Sequence, residues 1–182
     1  MAVTLDGLED VFREKIENLL KDLLNVGVEM RPCTSLRTPQ EQAKLWRQSR
    51  AREEIISAIA RLQNGGAPFL AELLNDVGPQ HGPHVTNALP GLSWHQWGES
   101  LDCFWAVNGS AEWSPSKVID GVNGYQLYAA RANDMGLDAG GLWRSLKDWP
   151  HLQLRKAGSP VLAGFSLSDI DAIMKSRFGE IN

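Results

Sequence analysis

The sequence has 182 residues, a mass of about 20 kDa, a formal charge of −4 and a pI near 5.6. That length fits one domain, 1–182, with enough material for a core and an insertion, and its scattered Lys and Arg form no basic stripe, so nucleic acid is excluded as the expected partner. No apolar run reaches bilayer length and the start, MAVTLDGLEDVFREK, has neither half of a secretory signal, so the expectation is no transmembrane segment and synthesis in the cytoplasm.

Leu8, Val11, Phe12, Ile16, Leu19, Leu20, Leu23 and Leu24 recur at three- and four-residue steps, which predicts an amphipathic helix over 8–24 closed near Gly27. Residues 28–33 read as a short strand. Thr38-Pro39-Gln-Glu41 combines an N-cap hydroxyl, a proline at the first helical position and a carboxylate at the third, the signature of a capping box. The helix it opens runs through Gln42 and Trp46 and is drawn on to Gln63, with the charges of 47–54 as a solvated face. A short helix over 68–75 and a Gly-Pro loop over 78–83 follow, so 50–83 reads as a helical insertion.

The apolar and aromatic run 101–107 meets Asn108-Gly109 and then 111–113, which predicts a β-hairpin. Helical spacing returns over 122–135 with Gly136 as its stop, and a turn at Ala139-Gly140-Gly141 precedes a last strand over 151–154. A closing helix runs from Ser166 to about Phe178. Cys33 and Cys103 are too few for a disulfide scaffold and read as two buried thiols, with a bridge between neighbouring strands left open.

The chemistry concentrates in two segments, Ser93-Trp-His95-Gln-Trp-Gly98-Glu-Ser-Leu-Asp102 and Asp148-Trp-Pro-His151. Two imidazoles and a carboxylate, here His95, His151 and Asp102, are a ligand set that zinc accepts in catalytic sites, where the fourth position is left to a water. Asp148 is then a spare carboxylate suited to general base work. Arg37, just before the capped helix, is the candidate for stabilising a developing oxyanion or anchoring a substrate carboxylate. His81 and His84, in Gly-Pro-rich surroundings, read as ordinary loop histidines. The seven tryptophans are core by default, with Trp94, Trp97, Trp143 and Trp149 flanking the motifs as candidate cleft walls.

Taken together, Ser35-x-Arg37 followed by Glu41-Gln42, Ser-x-His-x-x-Gly-x-x-x-Asp, Gly-Gly-x-Trp and Asp-Trp-Pro-His-x-Gln resemble the zinc D-alanyl-D-alanine carboxypeptidase and L-alanyl-D-glutamate endopeptidase family of phage lysins and bacterial cell-wall enzymes. The resemblance spans 28–48 and 84–154. It implies an α+β fold of the Hedgehog/D-Ala-D-Ala-peptidase type, a small antiparallel sheet flanked by helices, forming a single zinc peptidase catalytic domain. It implies one Zn²⁺ held by His95, Asp102 and His151, with Asp148 as catalytic base, Arg37 on the substrate or transition state, and Gln42 and Ser93 in support. Ser100 and Leu152 depart from it, since alanine and an aromatic are common at those positions.

The expected function is zinc-dependent hydrolysis of the peptidoglycan stem peptide in the periplasm or cell wall after release or delivery. The leading reading is a lysin-type L-alanyl-D-glutamate endopeptidase. Its alternatives are a D-Ala-D-Ala carboxypeptidase or dipeptidase, and an interbacterial effector with a delivery or immunity partner. A metal-stabilised binding module is the non-enzymatic rival, and the presence of both Asp148 and Arg37 speaks against it.

Overall fold

Apolar side chains at helical spacing need a surface to bury against, and in the computed structural model, which describes residues 3–179, the first such stripe builds a core. Helix α1, Asp10–Asn25, buries Phe12, Ile16, Leu19 and Leu23, and the Glu9 carboxylate accepts the Phe12 N–H at 3.0 Å. The chain divides into two compact units, Met1–Leu36 with Trp97–Lys156, and Arg37–Gln96 with Ala157–Asn182. Among the described residues no helix is long and apolar enough to cross a membrane.

The first unit holds the sheet. Its strands are β1 (Glu29–Thr34), β2 (Ser100–Val107), β3 (Ser110–Glu112), β4 (Asp138–Ala139) and β5 (His151–Gln153), all antiparallel, in the order β1-β2-β5-β4 with β3 on the far end of β2. Side chains alternate across a strand, so Leu101, Cys103 and Trp105 of β2, with Leu152 of β5 and Ala139 of β4, enter the core with α1 and with Tyr125, Tyr128, Ala129 and Ala132 of helix α5, Gly124–Asp134. The same alternation turns Asp102, His151, Gln153 and Asp138 to the opposite face. The hairpin forms at Asn108-Gly109, where both residues take positive φ as a tight two-residue turn requires.

The second unit is helical, with α2 (Pro39–Arg47), α3 (Arg52–Asn64), α4 (Pro68–Asp76) and α6 (Leu167–Phe178). Thr38 and Glu41 form the expected capping box on α2, and Ser166 and Asp169 form one on α6. Helix α2 does not continue to Gln63. It stops at Arg47, the chain turns through Ser49 at φ 57°, and α3 begins afresh with the Glu54 carboxylate on the Ala51 N–H. Residues 47–54 carry no apolar stripe to hold a helix against the core. Arg47 bonds the Leu74 and Asn75 carbonyls and Arg50 lies over the Trp46 ring, so these arginines hold a turn, not a solvated helix face.

Helix α4 starts at Ala67, which has no side-chain oxygen to cap it. The buried Asp171 of α6 supplies the acceptor instead, taking the Leu70 N–H at 2.8 Å and the Phe69 N–H at 3.4 Å. Asp171→Ala is expected to lower stability by about 1–2 kcal/mol, the usual cost of a lost helix cap. Urea unfolding checks this, and a change under about 0.5 kcal/mol, the range of ordinary surface substitutions, would show that the cap is dispensable.

Candidate metal centre

Strand pairing brings the two most separated motif residues together. Asp102 of β2 stands directly opposite His151 of β5, and Asp102 Oδ1 lies 2.9 Å from His151 Nδ1. The two strands are pinned beside this pair by Glu99, nearly buried, which takes two bonds from the Arg155 guanidinium, and by the Leu154 N–H on the Glu99 carbonyl at 2.9 Å. His95 sits seven residues ahead of Asp102 on the one-turn 3-10 helix Trp94–Trp97. One donor atom from each of His95, Asp102 and His151 lies within 4.8 Å of the others, a group that could hold a metal ion.

Gly98 explains how the chain passes from that helical turn into β2. Its φ is +73°, and a Cβ there would stand 2.5 Å from the Gly7 carbonyl oxygen, where Gly98 O also accepts the Glu9 N–H. Only glycine fits such a close approach.

The supporting residues form their own network. Arg37 Nη1 donates to Gln42 Oε1 at 2.8 Å, and the fully buried Gln42 donates to Thr86 Oγ1 and the Ala88 carbonyl. Gln96 Nε2 donates to the same Gln42 oxygen at 3.2 Å, while Gln96 Oε1 accepts the Ser93 N–H. Ser93 Oγ faces the His95 N–H at 3.4 Å, and the Arg37 N–H bonds the His95 carbonyl at 3.2 Å. Arg37, Gln42, Ser93 and His95 are thus brought into one hydrogen-bonded set, joined by Gln96, which sequence reasoning missed. Its place inside the Ser-x-His motif was the available signal, since a buried amide there must find partners.

Asp148 stands in the loop ahead of β5, exposed, with its N–H on the Gly140 carbonyl and its own carbonyl accepting the His151 N–H. Gly140 lets that loop close, since a Cβ there would meet the Asp148 carbonyl oxygen at 2.4 Å. Asp148 is not among the grouped donors. Of the flanking tryptophans, Trp94 and Trp97 are buried, and Trp143 stands beside the His151 ring at 5.3 Å between centroids. His84 bonds Arg50 and Asn87, while His81 lines a cavity of about 670 Å³ with Arg47, Arg52 and Ile55 that contains none of the motif residues.

Charge at the centre acts on its neighbours. Burial, then the charges of Asp102 and Asp148, push the Cys33 thiol up to about 11, and burial raises Cys103 further; both cysteines are free. For His151, burial pulls the imidazole pKa down, but the hydrogen bond and charge of Asp102, with the charge of Asp148, outweigh it and the net shift is upward. A folded-state pKa above the unfolded one means that in the metal-free protein this pair contributes stability in full below about pH 6.5, the ordinary histidine value, and loses it as pH rises through the raised value. A metal needs the unprotonated ring and must expel that proton. Zinc affinity is therefore expected to fall by about tenfold or more per pH unit below the raised pKa, measured by chelator competition. A pH-independent affinity across that range would contradict it.

Ser100, where the resemblance has alanine, is fully buried and its Oγ has no hydrogen-bond partner among the described residues. An unsatisfied buried hydroxyl costs about 1–3 kcal/mol, so Ser100→Ala is expected to raise stability in thermal unfolding; a loss of stability would mean that the hydroxyl is satisfied in solution.

The family model for VanY, D-alanyl-D-alanine carboxypeptidase, matches residues 6–136. The chain belongs to this family. VanY membership makes it a hydrolase that acts on peptidoglycan peptides, and its His95, Asp102 and His151 donors could hold a metal ion. The VanY match includes Arg37, Gln42, Ser93, His95 and Asp102 and ends ahead of Asp148 and His151. Among solved structures, the chain is similar to the Serratia marcescens L-Ala D-Glu endopeptidase ChiX, at 19% identity over 83% of each chain with a TM-score of 0.46. It is also similar to a mutant of the vancomycin-resistance D,D-pentapeptidase VanY from a VanB-type resistance cassette in complex with Zn(II), at 15% identity over 93% of this chain and 88% of that one, with a TM-score of 0.47. No curated protein matches the chain.

Proposed function

We propose that this peptidoglycan peptidase is a lysin-type L-alanyl-D-glutamate endopeptidase, with residues 1–182 acting as one catalytic domain. The observation that carries the catalytic reading is the His95, Asp102 and His151 donor group, with the Asp148 carboxylate left outside it. Three protein donors of the nitrogen and oxygen type suit a catalytic zinc, which keeps a position open. When bound, the ion supplies Lewis-acid polarisation of a carbonyl and lowers the pKa of a water to about 7.

The chain's own residues do the rest. Asp148 takes the proton of the attacking water as the C–O bond forms and passes it to the leaving amine as the C–N bond breaks, so hydrolysis balances without another acid. Arg37, held by Gln42, offers positive charge to the developing oxyanion or to a substrate carboxylate. Gln42 and Ser93 keep Arg37 and His95 in place. The aspartate form of the Asp-Trp-Pro-His segment supports the L-alanyl-D-glutamate bond, whereas the family model's own description supports D-Ala-D-Ala cleavage as the alternative.

Incubation with stem-peptide fragments, with and without chelator, followed by mass spectrometry, tests the reading. Release of the peptide that begins with D-glutamate supports the endopeptidase. Loss of a terminal D-alanine transfers the assignment to the carboxypeptidase, and no product in either preparation ends both. An interbacterial effector would use the same chemistry outside its own cytoplasm, and a small neighbour that co-purifies and blocks turnover would mark a delivery or immunity partner.

A further inference from the structure

On the sheet face turned away from the core, four polar side chains stand in two cross-strand pairs, Asp102 opposite His151 and Gln153 opposite Asp138. His151 and Gln153 are two residues apart on β5 and so share that face. His151 Nε2 lies 3.1 Å from Gln153 Oε1.

The acceptors around Gln153 decide which way its amide points. Its Nε2 lies 3.2 Å from Asp138 Oδ2 and 2.6 Å from the Arg155 carbonyl oxygen, and neither a carboxylate nor a carbonyl can donate. The NH₂ group must face them, which leaves the amide oxygen toward His151. An amide oxygen only accepts, so His151 Nε2 carries a hydrogen. Asp102 Oδ1 beside Nδ1 likewise only accepts, so without metal the ring holds a hydrogen at each nitrogen, and the one a metal can displace is at Nδ1, beside Asp102 of the donor group, while Gln153 keeps the one at Nε2.

Asp138 is itself fixed. Trp143 Nε1 donates to the same Oδ2 at 2.9 Å, and the Trp143 ring tilts at 50° against the His151 ring. Gln153 is 2% exposed, so its amide has no ready exchange of these partners for water.

We infer that Gln153, oriented by Asp138 and Trp143, is a positioning residue that fixes His151 as its Nε2–H form, so that Nδ1 is the nitrogen presented to the metal. The inference rests on the zinc reading proposed above. It gives the Gly-Gly-x-Trp and His-x-Gln segments one shared purpose: the first supplies the indole that holds Asp138, the second the amide that Asp138 holds. Such outer partners set the orientation of a metal-binding imidazole and typically change metal affinity by about 10–100-fold when removed.

The test uses the full chain loaded with Zn(II), and reads metal affinity by chelator competition and the His151 tautomer by ¹⁵N imidazole NMR. The wild type should show hydrogen at Nε2 and metal at Nδ1. Gln153→Met, similar in volume but without polar atoms, should bind zinc about 10–100-fold more weakly. Gln153→Glu alone sets a carboxylate against Asp138 and should also be weak. Gln153→Glu combined with Asp138→Asn restores an acceptor for His151 and removes the charge contact with residue 138, while the Arg155 carbonyl still faces an acceptor, so it should return part of the lost affinity. A merely structural role would lower the melting temperature without this rescue. Wild-type affinity in Gln153→Met, or hydrogen at Nδ1 in the loaded wild type, overturns the inference, and the wild-type tautomer decides it even if a variant fails to fold. A wild type that binds no zinc overturns the metal reading itself, and this inference falls with it.

Discussion

Asp148→Ala is expected to lower turnover by about 10²–10⁴-fold, the usual contribution of a general base, while zinc content and melting temperature stay at wild-type values. The separation of effects follows from what holds the residue. Backbone groups fix the Asp148 loop, with the N–H on Gly140 and the carbonyl on the His151 N–H, and these survive loss of the side chain. The carboxylate is exposed and stands outside the donor group, so the variant is expected to keep both its core and its metal. Asp148→Asn keeps the shape and removes the basicity, and should be as slow as the alanine variant. Steady-state kinetics on stem-peptide fragments, beside metal analysis of the same samples, checks both variants. Turnover near that of the wild type in either one would remove Asp148 from the chemistry. A parallel loss of zinc would make it a ligand or a support for one.

The legible parts of this fold are those in which a local rule and burial agree. The stripe from Phe12 to Leu23, the Thr38 and Glu41 cap and the Asn108-Gly109 hairpin each state their own structure and needed no distant partner to select it. The break between α2 and α3 was not legible in this way, because helix-forming residues over 47–54 hide the loss of an apolar face, and Arg47 finds its acceptors on α4, far along the chain. Strand β4 is two residues long and exists only because β5 pairs with it, so Ala139 read as the start of a turn.

The candidate site shows the same division. His95, Asp102 and His151 could be singled out as a donor group because zinc accepts so few side-chain types, whereas Asp148 was singled out only as the acid left over, and its role belongs to the proposal. Gln96, Gln153 and Asp138 were not singled out, since an amide or a carboxylate has many ordinary uses in a sequence. Their value appears only when strand register and burial limit each to a few partners.

His95→Ala should separate metal from fold in the opposite sense to Asp148→Ala. If a binding free energy of about 10 kcal/mol or more is shared among three or four ligands, losing one weakens zinc by roughly a hundredfold or more. Turnover at ordinary zinc concentration should then disappear into background. The turn that carries His95 should survive, because side-chain bonds of Gln96 and backbone bonds hold it. Gln96 holds the Ser93 N–H and Gln42, and the Arg37 N–H holds the backbone carbonyl of residue 95. Asp102→Ala should lose zinc to a similar degree and also cost stability in the metal-free protein below the raised His151 pKa, since it removes the acceptor at His151 Nδ1. The two variants are therefore distinguishable by unfolding at mildly acid pH, where only Asp102→Ala should lose ground. Zinc bound by His95→Ala as tightly as by the wild type would show that the ion rests on other residues, and the role given to the Ser93–Asp102 segment would be lost with it.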